Sequence, residues 1–282
     1  MNGSAPPALA GHGIFSEPED RVFDQTPASD LLRTDVPMSM RSWIRMRGDE
    51  WVWRSYGAID YSVRTGLPSF EHVFGASVWE YFAEHPEPAK TFDQAMTGLS
   101  NGLNAPVVAA YDFAPFGTVC DIAGGHGSLI ATMLAATPSL RGILFDSARV
   151  IAGAGATLEA AGVADRCTLA SGDFFESVPE GADLYTMKFI IHDWDDERSR
   201  VILRNIRQVI PSGGKLLLFE SVIPPGNALS FGKLIDIEML TIPGGRERTE
   251  REFAELFASG GFRLTRVLPT ACPLSVVEAE PA

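Results

Sequence analysis

The chain is short of cysteine, of positive charge and of long hydrophobic runs. Its 282 residues include three cysteines, Cys120, Cys167 and Cys272, far apart and in no Cys-x-x-Cys pair. Two of them sit in apolar, strand-like runs, so they read as buried thiols of a reducing compartment and not as a disulfide frame. Lys and Arg total 23 against 36 Asp and Glu, a formal net charge of −13. That balance disfavours a nucleic-acid partner, whose phosphates need a basic face. No stretch reaches the ~20 apolar residues of a membrane span. The start, MNGSAPPALAG, has neither the basic region nor the apolar core of a signal peptide. The expected location is the cytoplasm. No internal repeat, low-complexity tract or dedicated metal-ligand cluster stands out.

What is present centres on residues 118–146. Thr118-Val119-Cys120 is a short apolar run that reaches an acid, Asp121. A glycine-rich turn, Gly124-Gly125-His126-Gly127, leads into a helical pattern of Leu129, Ile130, Met133 and Leu134. A second apolar run, Gly142-Ile143-Leu144-Phe145, ends in Asp146. This is the layout of a nucleotide-binding strand–turn–helix–strand unit. Glycines let backbone approach a ligand, the helix start aims N–H groups at it, and the second acid can accept ribose hydroxyls. Asp146 follows Gly124 by 22 positions, close to the ~20 that ribose binding needs. Ile130 stands where a dinucleotide fingerprint has its third glycine, which favours an adenosine ligand without pyrophosphate. S-adenosylmethionine is the candidate.

Residues 1–30, rich in Pro, Gly, Ser and Asp, are expected to be loose. From Met38 to Val63 the pattern is helical, until Thr65-Gly66-Leu67-Pro68 breaks it. A second helical region runs from Val78 to about Asn104, broken at His85-Pro86. After Asp146, helix and strand alternate. A helix is predicted at Ala148–Ala161 and strands at Cys167–Ala170, Asp183–Ile191 and Lys215–Val222. Asp195 caps one helix, and Thr249-x-x-Glu252 forms a capping box for another. Two last strand-like runs, Arg263–Leu268 and Leu274–Val277, have no helix between them. The predicted fold is α/β: a Rossmann-like, doubly wound, mostly parallel sheet with an antiparallel edge hairpin. A partial, mainly helical region, residues 1–110, precedes a cofactor-binding domain, residues 111–282.

Ligands of such sheets lie at the carboxyl ends of the strands. Those ends deliver the glycine turn, Asp146, Asp173-Phe174, Lys188, His192-Asp193-Trp194 and Glu220. Asp173 and Phe174 fit an adenine amine and ring, or a solvated acid beside a core aromatic. Trp194 covers a base or caps the core. His192, followed by Asp193, Asp195 and Asp196, is either a neutral imidazole that takes a proton from a substrate hydroxyl or a structural helix cap.

Four runs together carry a family resemblance. They are Asp121-Ile-Ala-Gly-Gly-His-Gly, Gly172-Asp-Phe-Phe-Glu, Lys188-Phe-Ile-Ile-His-Asp-Trp-Asp-Asp-Glu and Gly244-Gly-Arg-Glu-Arg-Thr. In this order they resemble the cation-independent class I O-methyltransferases, the plant caffeate-type enzymes and the bacterial enzymes that tailor aromatic polyketides. The likeness extends from about Gly11 to the C-terminus and is strongest after Tyr111. It implies His192 as proton acceptor, with Glu220 and Glu247 holding it. It implies cofactor contacts from Gly124, Asp146, Asp173, Phe174, Lys188, Trp194 and Ser100, and substrate contacts from Asp193, Met96 and Met239. Phe92 and Met96 are also the stripe a plain helix core would show. The implied reaction is direct methyl transfer to a phenol or enol oxygen, with no metal.

Two departures from the family pattern stand out. Ala123 replaces the first of three glycines, which is expected to weaken cofactor binding. The family's longer N-terminal dimerisation segment is represented only from its wing, Gly13-Ile-Phe-Ser-Glu, and Leu31-Leu32-Arg33. The chain is therefore expected to expose apolar surface between Met38 and Asn104 and to pair as a homodimer or heterodimer. Two other readings are a relative that binds the cofactor for non-methylating chemistry and a non-catalytic subunit.

Overall fold

The computed structural model describes residues 5–36 and 39–282. It opens with helix α1 (Ala5–Gly11), a hairpin of β1 (Phe15–Glu19) and β2 (Val22–Gln25), and a short α2 (Pro27–Asp30). Residues 5–30 are thus ordered, against expectation, while residues 1–4 of that stretch lie outside the described residues. The order is local. Thr26 Oγ1 donates to Ile14 O (2.6 Å) and accepts from Ser29 N (3.3 Å), which ties α2 to the hairpin.

Six helices follow: α3 (Arg41–Arg47), α4 (Glu50–Gly57), α5 (Ile59–Thr65), α6 (Ser69–Phe74), α7 (Val78–Glu84) and α8 (Pro86–Ala109). The first predicted helical region is three short helices, and Met38, its predicted start, lies outside the described residues. Gly66 ends α5 in the left-handed region and Pro68 then opens α6, so the predicted break also starts a helix. Met46, Trp51, Phe70 and Phe82 form a buried core here, with Trp51 edge-on to Phe82 at 5.3 Å. Each such side chain contributes roughly 1.5–3 kcal/mol through burial.

The rest is one wrapped sheet. Its elements are β3 (Thr118–Ile122), α9 (Ser128–Ala136), β4 (Arg141–Asp146), α10 (Ala148–Ile151), α11 (Gly155–Ala160), β5 (Cys167–Ser171), β6 (Leu184–Lys188), α12 (Asp196–Val209), β7 (Lys215–Glu220), α13 (Phe231–Thr241), α14 (Glu250–Ser259), β8 (Phe262–Pro269) and β9 (Ser275–Pro281). The strand order is β5-β4-β3-β6-β7-β9-β8. The first five strands are parallel, and β9 runs antiparallel between β7 and β8. The expected hairpin is therefore present, and of its two strands only β8 is at the edge. Along β7, Leu216 and Leu218 face one core and Leu217 and Phe219 the other, the two-residue alternation of a strand covered on both sides.

Three predicted elements differ, and one helix appears that was not predicted. The helix at Ala148–Ala161 is two, α10 and α11, and the bend between them brings Gly153 against the His126 ring; a Cβ there would lie 3.0 Å away. The fourth predicted strand stops at Lys188 because Phe189 takes φ +56°. The fifth stops at Glu220. Helix α13 was not expected, for its N-cap Ser230 has Lys233 where a capping box has an acid. All three cysteines are free; only Cys120 is buried, because Cys167 lies on the edge strand β5. Among the described residues no helix is long and apolar enough to cross a membrane.

The chain moves outward from β3 to β5, then returns to lay β6 on the other side of β3. That reversal opens a crevice at the carboxyl ends of β3 and β6. Helix α8 packs against α9, beside the glycine turn.

Candidate active site

His192 lies in a 3-10 turn, Ile191–Asp193, between β6 and α12. Phe189, just before it, is a bulky residue held in the left-handed region, which such residues rarely adopt. Its ring stacks on the imidazole with centroids 5.1 Å apart. Glu220, fully buried at the end of β7, accepts from Ile190 N (3.1 Å) and Ile191 N (3.0 Å). Two backbone groups of the turn are satisfied by that one carboxylate oxygen.

The His192 side chain is 9% exposed. Its Nδ1 lies 2.7 Å from Glu247 Oε1. An ionised carboxylate only accepts, so the neutral ring carries its proton on Nδ1 and leaves Nε2 as the acid–base atom. Asp193 Oδ1 lies 3.6 Å from Nε2, and Glu220 Oε2 lies 3.8 Å from Nδ1, both beyond hydrogen-bond reach. One of the two expected acids therefore bonds the ring; Glu220 holds the backbone beneath it.

Charge sets the chemistry of this cluster. Burial alone would lower the His192 pKa, but Glu220, Asp193 and Glu247 outweigh it and push it up to about 10. Burial, with the neighbouring acids, pushes Asp193 and Glu220 up to about 7. At neutral pH the proton thus rests on the imidazole, and the neutral form expected from the sequence is the minor one. A base of that strength matches an ordinary phenol, whose pKa is about 10, so a proton moves between them with little loss. Glu220 Oε2 and Glu247 Oε2 are buried without partners among the described residues.

The ligand atoms of His192, Glu220 and Glu247 lie within 4.8 Å of one another. They are thus a clustered set that composition did not reveal. The direct 2.7 Å hydrogen bond between two of them is an arrangement for proton chemistry.

Glu247 comes from the loop after α13. Its N–H donates to Asp236 on that helix (2.8 Å). A Cβ on Gly245 would sit 2.0 Å from His192 O, so only glycine lets the loop lie flat on the turn.

The second group of residues surrounds the glycine turn. Ala123, Gly125 and Gly127 all have positive φ, of 53°, 61° and 81°. Gly124 does not. Its Cβ would lie 2.4 Å from Leu144 and 2.6 Å from Asp121, so Gly124 is small in order to pack on the sheet, while Gly125 faces open space. Asp146 accepts from Gly125 N (2.9 Å) and Ser147 N (2.7 Å). Burial raises its pKa, and the two N–H groups pull it back.

Beneath the turn, Thr186 donates to Asp121 Oδ1 (2.8 Å), and Lys188 Nζ donates to Asn104 Oδ1 on α8. Asn104 in turn donates to Ser128 Oγ at the start of α9 (3.1 Å). Burial lowers Lys188 to about 8, Asp121 opposing, and raises Asp121 to about 6. Thr97 and His126 are 3.3 Å apart, and Arg149 bonds Asp93 at 2.7 Å, so α8 is pinned over the turn.

The remaining predicted residues divide. Asp173 is exposed, and its carboxylate accepts from Phe175 N (2.8 Å) within its own loop. Phe174 lies 6.0 Å from Trp194, which packs with Phe175 (4.8 Å) and Trp79 (5.7 Å). The indole N–H groups of Trp79 and Trp194 are buried without partners among the described residues. Phe92 packs on Trp79 (5.9 Å) and Phe82 (5.0 Å), and Met96 joins the same core. Ser100 is half-buried one turn before Asn104, and Met239 is buried on α13.

Sequence reasoning missed Phe189, Asn104, Trp79 and Arg248. Phe189 and Arg248 stood inside quoted motifs without a role, and nothing marked Asn104 or Trp79 as site residues. An adenosine ligand bearing a cation fits the second group. Asp146 ends β4 beside the open face of Gly125, and Asp121 Oδ2 is a buried carboxylate oxygen that no described group satisfies.

Comparison with known proteins shows the family of the chain. The family profile described as the O-methyltransferase domain matches residues 56–263. The chain is 46% identical over 273 residues to the phenazine O-methyltransferase of Lysobacter antibioticus, covering 97% of this chain and 80% of that protein. The structure of a mitomycin 7-O-methyltransferase superposes with a TM-score of 0.90 at 38% identity, covering 98% of this chain and 82% of the other. An O-methyltransferase from neocarzinostatin biosynthesis, solved with S-adenosylmethionine and 2-hydroxy-5-methyl naphthoic acid, superposes at 0.83 with 30% identity, covering 98% and 83%.

Proposed function

This chain belongs to the O-methyltransferase domain family, and we propose that it methylates a hydroxyl of an aromatic, polyketide-like small molecule with His192 as general base. The enzyme is a methyltransferase that uses S-adenosylmethionine. When bound, that cofactor supplies an electrophilic methyl group on a sulfonium. Every other part of the reaction falls to the chain's own residues.

His192 Nε2 takes the proton of the acceptor hydroxyl. Glu247 fixes the ring and favours the imidazolium, Glu220 fixes the turn, and Asp193 adds negative charge on the Nε2 side. Gly124, Asp146, Asp173, Phe174, Lys188, Trp194 and Ser100 hold the cofactor; Lys188 does so while bonded to Asn104. Met96 and Met239 line the acceptor's place. Alignment and exclusion of water do most of the remaining work. Residues 1–110 serve dimerisation and substrate enclosure, and residues 111–282 serve cofactor binding. Two named relatives act on or bind aromatics, a phenazine and a naphthoic acid, which supports an aromatic acceptor here.

One observation carries the reading: the 2.7 Å bond from His192 Nδ1 to a buried carboxylate, which leaves Nε2 free. Substituting His192→Ala should cut methyl transfer about 100- to 10,000-fold and leave cofactor affinity by calorimetry unchanged. Turnover at the wild-type rate would refute the assignment.

Pairing with a second copy, or with a related chain, is supported by exposed apolar side chains: Ile44, Trp53, Val63 and Leu67 before α6, and Leu234 and Ile237 on α13. Light scattering on a size-exclusion column tests it, and a stable monomer would rule it out. The unpaired thiols support a cytoplasmic location.

A further inference from the structure

Arg248 is fully buried, yet the reaction as described gives it nothing to do. A guanidinium taken out of water costs several kcal/mol unless its donors are all satisfied. Here they are. Nη1 donates to Ile191 O (3.0 Å) and Arg246 O (3.3 Å). Nη2 donates to Trp194 O (2.9 Å), Asp196 Oδ1 (2.8 Å) and Ser199 Oγ (3.4 Å). Nε donates to Asp196 Oδ1 (3.1 Å).

Two of those acceptors are the carbonyls that bracket His192. The carbonyl of His192 itself accepts from Arg246 N (2.8 Å), in the same loop. Gly245, just before these contacts and pressed on the His192 carbonyl, has no room for a side chain. The loop is anchored in turn: Ile223 N donates to Arg248 O (2.9 Å), beside β7. The turn is thus gripped from two sides, its N–H groups by Glu220 and its carbonyls by the loop.

We propose that Arg248 is a positioning residue for methyl transfer, clasping the carbonyls of Ile191 and Trp194 so that the ring of His192 meets Glu247 and the acceptor hydroxyl. The inference rests on His192 being the base. None of the Arg248 side-chain hydrogen bonds reaches the imidazole. It acts through the backbone, and because Glu247 is its chain neighbour, one loop sets both the base and the acid that orients it. A lysine replaces it only in part, for three donors on one nitrogen reach one carbonyl of the turn but cannot span both.

Misplacing a reacting group by ~1 Å costs about 100-fold in rate. Arg248→Met should therefore lower kcat about 100-fold, with cofactor affinity and the acceptor KM within about twofold of wild type on the same argument. Arg248→Lys should recover part of kcat. The pH at which the rate rises should also fall in Arg248→Met, because the ring is no longer held against Glu247; a general loss of folded protein would scale the rate without moving that pH. Gly245→Ala, which forces the loop off the turn without removing a charge, should repeat the pattern and takes the place of Arg248→Met if that variant does not fold. His192→Ala is measured alongside. Wild-type turnover by His192→Ala would sink the base assignment itself. An inactive His192→Ala beside a folded Arg248→Met with unchanged kcat and pH profile would overturn this inference alone.

Discussion

Replacing Glu247 by Gln keeps the shape of the side chain and an acceptor for His192 Nδ1–H but removes the charge. Three acids raise the imidazole to about 10 against its burial, and only Glu247 is in hydrogen-bond contact, at 2.7 Å. A hydrogen bond to a charged partner is worth about 1.5–3 kcal/mol. At 1.36 kcal/mol per pH unit, its loss should lower the imidazole pKa by about one to two units. The sign follows from the role. The base works when neutral, so the rate rises as pH climbs through its pKa, and Glu247→Gln should move that rise to lower pH. The assay is kcat/KM for labelled methyl transfer across pH 6 to about 10.5, a range set by the ~6.5 of free histidine and the ~10 of a phenol. A limb that belongs to the acceptor hydroxyl stays put in both proteins. The variant should also turn over more slowly at high pH, because a neutral partner stabilises the forming imidazolium less and the base is weaker. A limb that does not move, in a variant that still binds cofactor, would show that Glu247 does not govern the ring.

Three further outcomes are expected. Ala123 holds φ +53° in the glycine turn, where an L-residue costs about 1–2 kcal/mol and glycine gives back ~0.4–1 through the unfolded chain. Ala123→Gly should therefore raise stability by up to about 1.5 kcal/mol on these figures and tighten cofactor binding, and a lower melting temperature would count against it. Incubation with a strong chelator should leave turnover unchanged, since His192 and Glu247 meet directly; loss of activity restored by a divalent ion would assign the trio to a metal instead. Phe70 is fully buried between the short helices, so Phe70→Ala should destabilise the protein by about 3–5 kcal/mol in urea titrations, and a cost under half that would mean this core is not part of the cooperative fold.

The alternating apolar runs, the acids near the ends of β3 and β4 and the glycine turn were readable from the chain because they obey local rules. A strand covered on both faces must be apolar throughout, and a turn that crosses into positive φ selects glycine. The acids and the histidine at strand ends were readable for the same reason, since the fold class says which ends converge. Tertiary structure alone decided the rest. It split Glu220 from Glu247, giving the first to the backbone of Ile190 and Ile191 and the second to the ring. It placed Asn104 on Lys188, 84 positions away, and Arg248 on Trp194, 54 positions away. It also reversed the resting charge of His192, because a pKa depends on burial and on acids that arrive from other strands and loops. None of these leaves a periodic trace, for each joins groups whose distance along the chain carries no information about their distance in space.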